Sequence, residues 1–205
     1  MEILNAGYEI VDDPDYNAIL RKIERCGRVA YKSEDRITPD SAEKFVRNIL
    51  KSGHESVIEH HSITIKFICD RGVSHELVRH RLASFTQEST RYVNYTKKGF
   101  AVIKPPASFF KDDSDYEYWK ASNKECEKSY ISLIESGHPP EQARLFLPTS
   151  LKTEIMVTAN LREWRHILKL RTAKDAHPQM REIMIPLLAE FKQRLPVFFE
   201  DIMVQ

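Results

Sequence analysis

The stretch from Asp70 to Tyr92 constrains the fold more than any other part of the sequence. It reads DRGVSHELVRHRLASFTQESTRY and combines four arginines and two histidines with only three acids. At its centre, Arg79, His80 and Arg81 are consecutive, and neighbouring side chains on a helix point about 100° apart. The three side chains must therefore face different surroundings. Guanidinium groups suit phosphates and the edges of heterocycles, whereas a solvated basic helix face is the alternative interpretation.

The spacing within this stretch favours the ligand-binding interpretation. Arg79-His80-Arg81 is followed, after seven residues, by Ser89, and Arg91 lies two residues further on. This R-H-R-x7-S pattern resembles the signature of the flavin-dependent thymidylate synthases. Further matches to that family extend over most of the chain, and they are His54, Glu59, Arg144, Asn160, Arg162 and Arg171.

The resemblance implies an α+β fold with a central, mostly antiparallel sheet flanked by helices. A single catalytic domain over residues 1–205 is expected, because this length is sufficient for one domain with its own core. The chain has only six glycines and no G-x-G-x-x-G sequence. A Rossmann motif is therefore excluded as the flavin-binding element.

Composition narrows the class of protein further. The 31 basic and 30 acidic residues nearly balance, which argues against a general polyanion-binding surface. The three cysteines are scattered and form no CxxC pair, so neither a disulfide framework nor a cysteine-based zinc site is indicated. No signal-peptide pattern and no apolar run of roughly 20 residues is present. We expect a cytoplasmic protein with no membrane or nucleic-acid partner.

Hydrophobic periodicity predicts the main elements. A helix that begins near Tyr16 is predicted to end near Gly27, and Thr38-Pro39 is interpreted as the cap and first residue of the next helix. Pro186 predicts a kink in the last helix. The remaining predicted helices cover 73–81, 112–137, 141–147, 160–171 and the region from 178, and the predicted strands cover 63–67, 100–103 and 151–158.

Two alternative functions remain open on the residues alone. A nucleic-acid-binding module could use the face from Arg79 to Arg91, and it would show steep salt dependence. A metal-dependent hydrolase could use His54, Glu59, His60 and His61, which lie in the segment HESVIEHH. Ile58 stands where an HExxH motif needs its second histidine, so no metal site is expected.

The resemblance implies reductive methylation of dUMP to dTMP, with 5,10-methylenetetrahydrofolate as carbon donor and NADPH as reductant through FAD. Arg171 is the expected catalytic residue, which pairs with the N3–O4 edge of dUMP and stabilises its deprotonated form. The expected FAD-binding residues are Ser56, Glu59, Arg79, His80, Arg81, Gln87, Asn160, Arg162 and His166. The expected substrate-binding residues are His54, Glu76, Arg79, Gln87, Glu88, Ser89, Thr90, Arg91, Arg144 and Arg171.

The residues around Arg171 agree with this role. Leu161, Trp164 and Leu168 share one helical face with Arg171, and a guanidinium that completes an apolar stripe needs a partner. No cysteine has a context that would activate it as a nucleophile, which is consistent with the flavin-dependent route. The family resemblance also implies a homotetramer with active sites at subunit interfaces.

Three positions depart from the family pattern. Glu76 stands where glutamine is common, and Gln87 stands where glutamate is common. His166 replaces a frequent asparagine. The spacing from Arg171 to His177 is longer than in some family members, so the role of His177 stays open.

Overall fold

The structure is a computed structural model, and it describes residues 1–204. Its strands are β1 Glu2–Leu4, β2 Gly7–Ile10, β3 Ser62–Asp70, β4 Ala83–Gln87, β5 Ala101–Ile103 and β6 Lys152–Asn160. Its helices are α1 Tyr16–Arg28, α2 Ser41–Lys51, α3 Arg71–Leu77, α4 Tyr95–Lys98, α5 Asp113–Glu135, α6 Pro140–Ala143, α7 Leu161–Arg171, α8 Pro178–Arg194 and α9 Pro196–Phe199. The α+β class is confirmed.

Four strands form one sheet in the order β2-β3-β6-β4, and β1 pairs in parallel with β5. β3 and β6 run antiparallel: the hydroxyls of Thr64 and Thr158 are 3.0 Å apart, and just beyond the end of β3 the backbone N–H of Arg71 donates to the carbonyl of Thr149, which precedes β6. Burial alternates along both strands, as expected for extended backbone with one face on a core. The buried face of each strand is mainly apolar, with Thr153 and Asp70 as its buried polar residues.

The chain divides into two compact units. The first comprises Met1–Gly7, Phe67–Arg79 and Phe85–Met156. Its core includes Tyr95, Phe100 and Tyr130, whose rings meet edge-on or tilted at centroid distances of 5.6–6.2 Å. Such aromatic pairs add packing energy beyond the area that they bury. α5 supplies Tyr130 to this core.

The second unit comprises Tyr8–Lys66, His80–Ser84 and the chain from Val157 onward. Its helices α1, α2, α7, α8 and α9 pack together around a core that includes Ile23, Val46, Trp164 and Phe191, each 0% exposed. Gly27 on α1 allows this close packing, because an added Cβ would lie 2.6 Å from the Phe45 ring on α2 and the ring would have to move. α7, which carries several predicted site residues, is held in this unit.

Several helix boundaries differ from those that the sequence predicted. α2 begins at Ser41 with Asp40 as the N-cap, so Thr38 and Pro39 precede the helix and the predicted cap is wrong. Gly53 directly follows the C-cap residue Ser52 of α2 and has φ +73°. α8 continues as a helix through Pro186.

The arginine cluster does not lie on a helix. α3 ends at Leu77 with Val78 as its C-cap, so the helix predicted over 73–81 is too long. Arg79, His80 and Arg81 form the turn between α3 and β4, a strand that the sequence did not predict. Arg79 and Arg81 are exposed and His80 is buried. The surroundings of His80 therefore differ from those of the two arginines. Within residues 1–204, no helix combines the length and apolar character that crossing a bilayer requires.

Candidate active site

The N-terminus of α7 organises the candidate site in the second unit. Asn160 is the N-cap, and its Oδ1 accepts a hydrogen bond from the backbone N–H of Glu163 at 2.9 Å. Such a cap satisfies an N–H group that the helix leaves unpaired. Trp164 is fully buried, and its indole N–H donates to the Ile63 carbonyl of β3 at 2.9 Å. These two anchors fix the rotation of α7 and therefore the directions of its polar side chains.

A cavity of about 590 Å³ opens beside this helix, within the volume range of small-molecule and cofactor sites. Its lining is mainly polar and includes the apolar side chain of Leu82, which is 76% exposed after the arginine turn. The lining residues are Glu55, Glu59, Leu82, Asn160, Arg162, Glu163, Arg165, His166 and Lys169. Four predicted FAD-binding residues, Glu59, Asn160, Arg162 and His166, thus lie on one cavity.

Arg162 connects α7 to the 3-10 segment Glu55–His60. Its Nη1 donates to Glu59 Oε1 at 2.6 Å, and its Nε lies 3.9 Å from Glu55 Oε2. The hydrogen bond to Glu59 raises the pKa of Arg162, so the side chain stays cationic. Because this pair is exposed, its net contribution to stability is small. Arg162 therefore places a positive charge at the cavity, and its weak pair with Glu59 does not fix the position of the side chain.

His80 and Arg171 meet directly, although they are 91 residues apart. Arg171 Nε donates to His80 Nε2 at 3.0 Å, and His80 Nδ1 lies 3.7 Å from Glu163 Oε1. The His166 ring lies 5.8 Å away from the His80 ring, in an edge-on arrangement. Burial, followed by the charges of Arg171 and His166, lowers the pKa of His80 to about 4. His80 is therefore a neutral imidazole at neutral pH.

His80, Glu163 and His166 are also the described residues whose arrangement could hold a metal ion, with ligand atoms within 4.8 Å of one another. This set contains none of His54, His60 or His61, so the structure does not assemble the hydrolase site considered above. Arg171 already supplies a cation to the His80 ring, and a second cation there would be repelled. The cluster is better described as a guanidinium-binding arrangement.

A second group of predicted residues lies in the first unit, on the segment from Gln87 to Arg91. Gln87 Nε2 donates to Ser74 Oγ at 2.8 Å and to Thr153 Oγ1 at 3.2 Å. Glu88 accepts from the Tyr95 hydroxyl at 2.7 Å and from Lys152 Nζ at 3.2 Å. The side chains of Gln87 and Glu88 are therefore engaged by their own chain, and they fix the shape of this segment.

Arg91 and Ser89 lie at the end of the same segment. The Arg91 backbone N–H donates to Ser89 Oγ at 3.3 Å, and the Arg91 guanidinium lies 5.4 Å from the Tyr92 ring centroid. Arg91 Nη2 also lies 3.6 Å from Glu141 Oε2, and both side chains are about half exposed. An exposed pair of this kind is weak and exchanges readily.

The remaining predicted residues are distributed over both units. In the second unit, His54 and Ser56 are exposed at the 3-10 segment before β3. In the first unit, Glu76 on α3 and Thr90 after β4 are partly buried, and Arg144 is exposed at the start of a 3-10 turn. Each has the access to solvent that ligand binding requires.

The sequence prediction missed two charged residues that shape the cavity. Glu163 is 7% exposed and faces His80; its i,i+3 spacing to His166 on α7 was the available signal. Arg165 is 3% exposed and forms a bidentate pair with Asp201, with both distances 2.7 Å. Its Nη2 also lies 3.2 Å from Glu55 Oε1. Since Asp201 is 36 residues away, no local pattern pointed to this network.

Comparisons with known proteins agree with the geometry. A family model described as thymidylate synthase complementing protein matches residues 15–197. A flavin-dependent thymidylate synthase from Pyrococcus furiosus is 38% identical over 170 residues, which cover 82% of this chain and 70% of the relative. The chain belongs to the flavin-dependent thymidylate synthase family. A family member from Geobacter sulfurreducens is 33% identical, over 82% of this chain and 72% of its own length.

A solved structure supports the same assignment. The UMP/dUMP methylase PolB from Streptomyces cacaoi, bound with 5-Br dUMP, superposes with a TM-score of 0.82 and 25% identity, covering 98% of this chain and 96% of its own. Flavin-dependent thymidylate synthases are methyltransferases that use FAD, and this enzyme class replaces the nucleic-acid-binding and metal-hydrolase alternatives.

The cavity beside α7 fits the FAD that the family uses. It combines the cationic Arg162 with the exposed apolar Leu82. A pyrophosphate needs a cationic or N–H donor, and a flavin ring needs an apolar contact surface. The side chain of Asn160 is engaged in capping α7, so it supports this wall of the cavity as well as lining it.

Proposed function

We propose that this protein converts dUMP to dTMP by reductive methylation, with 5,10-methylenetetrahydrofolate as the carbon donor and NADPH as the reductant through FAD. The observation that carries the proposal is the contact between Arg171 and His80, the central residue of the R-H-R-x7-S signature. Glu163 and His166, which both approach His80, also line the cavity. His80 of the signature and the expected catalytic arginine are thus in direct contact within the second unit.

Arg171 takes the catalytic role in this proposal. Its guanidinium carries a fixed positive charge and directional N–H donors, which match the N3–O4 edge of a uracil ring. Stabilising the deprotonated ring makes C5 nucleophilic, and such preorganised electrostatic stabilisation is a major source of catalysis. His80 is neutral and accepts a hydrogen bond from Arg171, so it holds the guanidinium without neutralising its charge.

FAD, when bound, supplies the hydride that completes the methyl group. We assign its binding to Ser56, Glu59, Arg79, His80, Arg81, Asn160, Arg162 and His166, with Gln87 contributing through the shape of its segment. The positive charge of Arg162 is assigned to binding the pyrophosphate of FAD. Its exchangeable pair with Glu59 allows it to turn towards the ligand at little energetic cost.

We assign the nucleotide phosphate to Ser89, Arg91 and Arg144, with Thr90, Glu76, Glu88 and His54 completing the substrate-binding set. Arg91 is half exposed, and its only close carboxylate in the described chain is Glu141, at 3.6 Å. A phosphate carries more charge than a carboxylate and can accept a bidentate guanidinium fork. The phosphate is therefore expected to displace Glu141 from Arg91.

The proposed reaction needs no cysteine nucleophile. Cys69 is buried in β3, and burial raises the pKa of its thiol to about 12. A thiol with such a pKa has almost no thiolate at neutral pH, and the thiolate is the nucleophilic form. Cys26 and Cys126 are partly buried and carry no role in the proposed chemistry.

We further propose a homotetramer with active sites at subunit interfaces. The proposed residues lie on two separate groups of segments, and a large cofactor together with two substrates needs a deep cleft. Mixing two inactive variants, Ser89→Ala and Arg171→Ala, tests this arrangement. If one site draws these residues from different chains, mixed tetramers regain part of the activity; a fully active monomer in light scattering would contradict the proposal.

The catalytic proposal is tested by measuring dTMP formation by the FAD-loaded protein. Complete mixtures of dUMP, 5,10-methylenetetrahydrofolate and NADPH are expected to yield dTMP. Omission of any one of the three substrates is expected to abolish the product. A complete mixture that yields no dTMP, with FAD bound and the protein folded, would reject the proposed function.

A further inference from the structure

We propose that Glu163 is a positioning residue that sets the tautomer of His80 and thereby orients the guanidinium of Arg171. The inference deepens the proposed function and rests on the catalytic role given there to Arg171. Glu163, His80 and Arg171 form a line of contacts, with 3.7 Å from the carboxylate to Nδ1 and 3.0 Å from Nε2 to the guanidinium.

The contact with Arg171 determines which ring nitrogen of His80 carries the proton. Arginine has N–H donors and no acceptor, so the Nε2 atom that receives Arg171 Nε–H must present a lone pair. His80 is neutral at neutral pH because burial and the charge of Arg171 both oppose its protonation. A neutral imidazole has one N–H group, and in His80 it must therefore be on Nδ1.

Glu163 stabilises this tautomer. Its Oε1 lies 3.7 Å from Nδ1, too far for a direct hydrogen bond. A carboxylate at this distance nevertheless interacts favourably with the positive end of an N–H dipole, and more strongly where water is largely excluded. The other tautomer would turn the Nδ1 lone pair towards the carboxylate and the Nε2 proton towards Arg171. Both contacts would then be repulsive.

The fold holds Glu163 in place for this role. Its backbone N–H is bound by the Asn160 cap, and its side chain is almost fully buried. Burial raises the pKa of the Glu163 carboxyl, while the charges of His166 and Arg162 oppose that change. A buried carboxylate is costly unless a partner compensates it. The Nδ1–H group of His80, 3.7 Å from Glu163 Oε1, contributes to that compensation.

The tautomer of His80 affects the proposed function through the orientation of the Arg171 guanidinium. A guanidinium recognises a heterocycle edge through a planar fork, and a catalytic group must be held within about 10–20° of its productive orientation. The His80 lone pair fixes the Nε end of the Arg171 plane. When the tautomer is not fixed, this hydrogen bond is lost for part of the time and the fork is misaligned.

The first test measures the tautomer itself. Solid-state 15N NMR of histidine-labelled, FAD-loaded protein separates protonated from unprotonated ring nitrogens, and a His80→Gln sample assigns the signal among the eight histidines. We expect the Nδ1–H form in the wild-type protein and a mixture of tautomers in Glu163→Ala. Glu163→Gln should retain the Nδ1–H form in larger part, because its amide oxygen can accept.

The second test uses kinetics. Glu163→Ala is expected to lower kcat/KM for dUMP by roughly 10- to 100-fold, the usual cost of removing a carboxylate that orients a functional histidine in metal sites. Glu163→Gln should recover part of the loss. Glu190→Gln is the matched control, since it alters the carboxylate that accepts from the Tyr8 hydroxyl in the same unit but away from the site. Thermal unfolding and FAD titration show whether each variant is folded and loaded.

Two results would overturn the inference. One is an Nε2–H tautomer of His80 in the wild-type protein; the other is a folded Glu163→Ala that retains both the wild-type tautomer and wild-type kcat/KM. If Glu163→Ala does not fold, Glu163→Leu, which keeps the buried volume, takes its place. The NMR measurement needs no turnover, so a protein that lacks thymidylate synthase activity would reject the proposed function while still testing the tautomer.

Discussion

Replacement of Arg171 by alanine is the most informative single change in the proposed site. It removes the donor that meets His80 Nε2 at 3.0 Å and the positive charge proposed to stabilise the deprotonated pyrimidine. Loss of one preorganised donor typically lowers turnover about 10²- to 10³-fold, or roughly 3–4 kcal/mol of transition-state stabilisation. We expect a kcat loss in this range, with FAD binding retained because the cavity residues of α7 are unchanged.

Lysine at this position is expected to rescue poorly. An ammonium group restores the charge but not the planar fork that can contact a ring edge and His80 together. The effect on His80 is a second, independent signal: without the neighbouring guanidinium, the pKa of His80 rises from about 4, although burial still holds it below its ordinary value. Titration of His80 by NMR in Arg171→Ala measures this rise.

The assay is initial-rate dTMP formation at saturating substrates, with FAD occupancy measured in the same samples. Arg194→Ala is a suitable control, because it removes an arginine that pairs with Glu190 on the surface of α8. Wild-type turnover in a folded, FAD-loaded Arg171→Ala would refute the reasoning. Loss of FAD together with activity would also contradict it, since Arg171 would then act in cofactor binding.

Three further predictions follow from contacts in the structure. Asp201→Ala should lower the free energy of unfolding by up to about 3 kcal/mol, because it leaves the buried Arg165 without its bidentate partner; urea unfolding measures this loss against Glu43→Gln, which alters an exposed pair. Glu141→Gln should lower KM for dUMP by a few-fold at low salt and not at high salt, because it removes the competing carboxylate from Arg91. Since the folded-state pKa of His80 is lowered to about 4, its contribution to stability should be complete above pH 6.5 and lost as the pH falls towards 4. In His80→Gln, the pH dependence of the unfolding free energy should be shallower in that window.

Long, strongly periodic elements could be predicted from the sequence. The apolar stripe from Tyr16 matches α1, Tyr16–Arg28, and the pattern around Trp164 matches α7, Leu161–Arg171. The short strands β1, β2 and β4 were missed. They have three to five residues, and their stability depends on pairing with distant segments rather than on local pattern. The arginine turn was predicted as helix because the preceding residues are helical and the end of α3 carries no glycine or proline signal.

The same difference applies to the site: residues with a fixed spacing could be predicted from the sequence, whereas contacts between distant residues could not. Residues with a fixed spacing, such as Arg79-His80-Arg81 and Ser89, could be found from the sequence through a family resemblance. The contact of Glu163 with His80 had only the i,i+3 spacing of Glu163 and His166 as a local signal, and the pair of Arg165 with Asp201 had none, since it joins residues that are distant in sequence. The segment His54–His61 illustrates the converse: its three histidines are close in sequence, but the possible metal-binding group found among the described residues is His80, Glu163 and His166 instead.

A single-turnover experiment tests the central claim most directly. NADPH first reduces the enzyme-bound FAD in the absence of oxygen, and the excess NADPH is then removed. dUMP and 5,10-methylenetetrahydrofolate are added afterwards. We expect the yellow absorbance of oxidised flavin to return and about one dTMP to form per FAD, with neither change in Arg171→Ala within the same time. Reoxidation without dTMP, or dTMP formed while the flavin stays reduced, would contradict the assignment of this chain as a flavin-dependent thymidylate synthase.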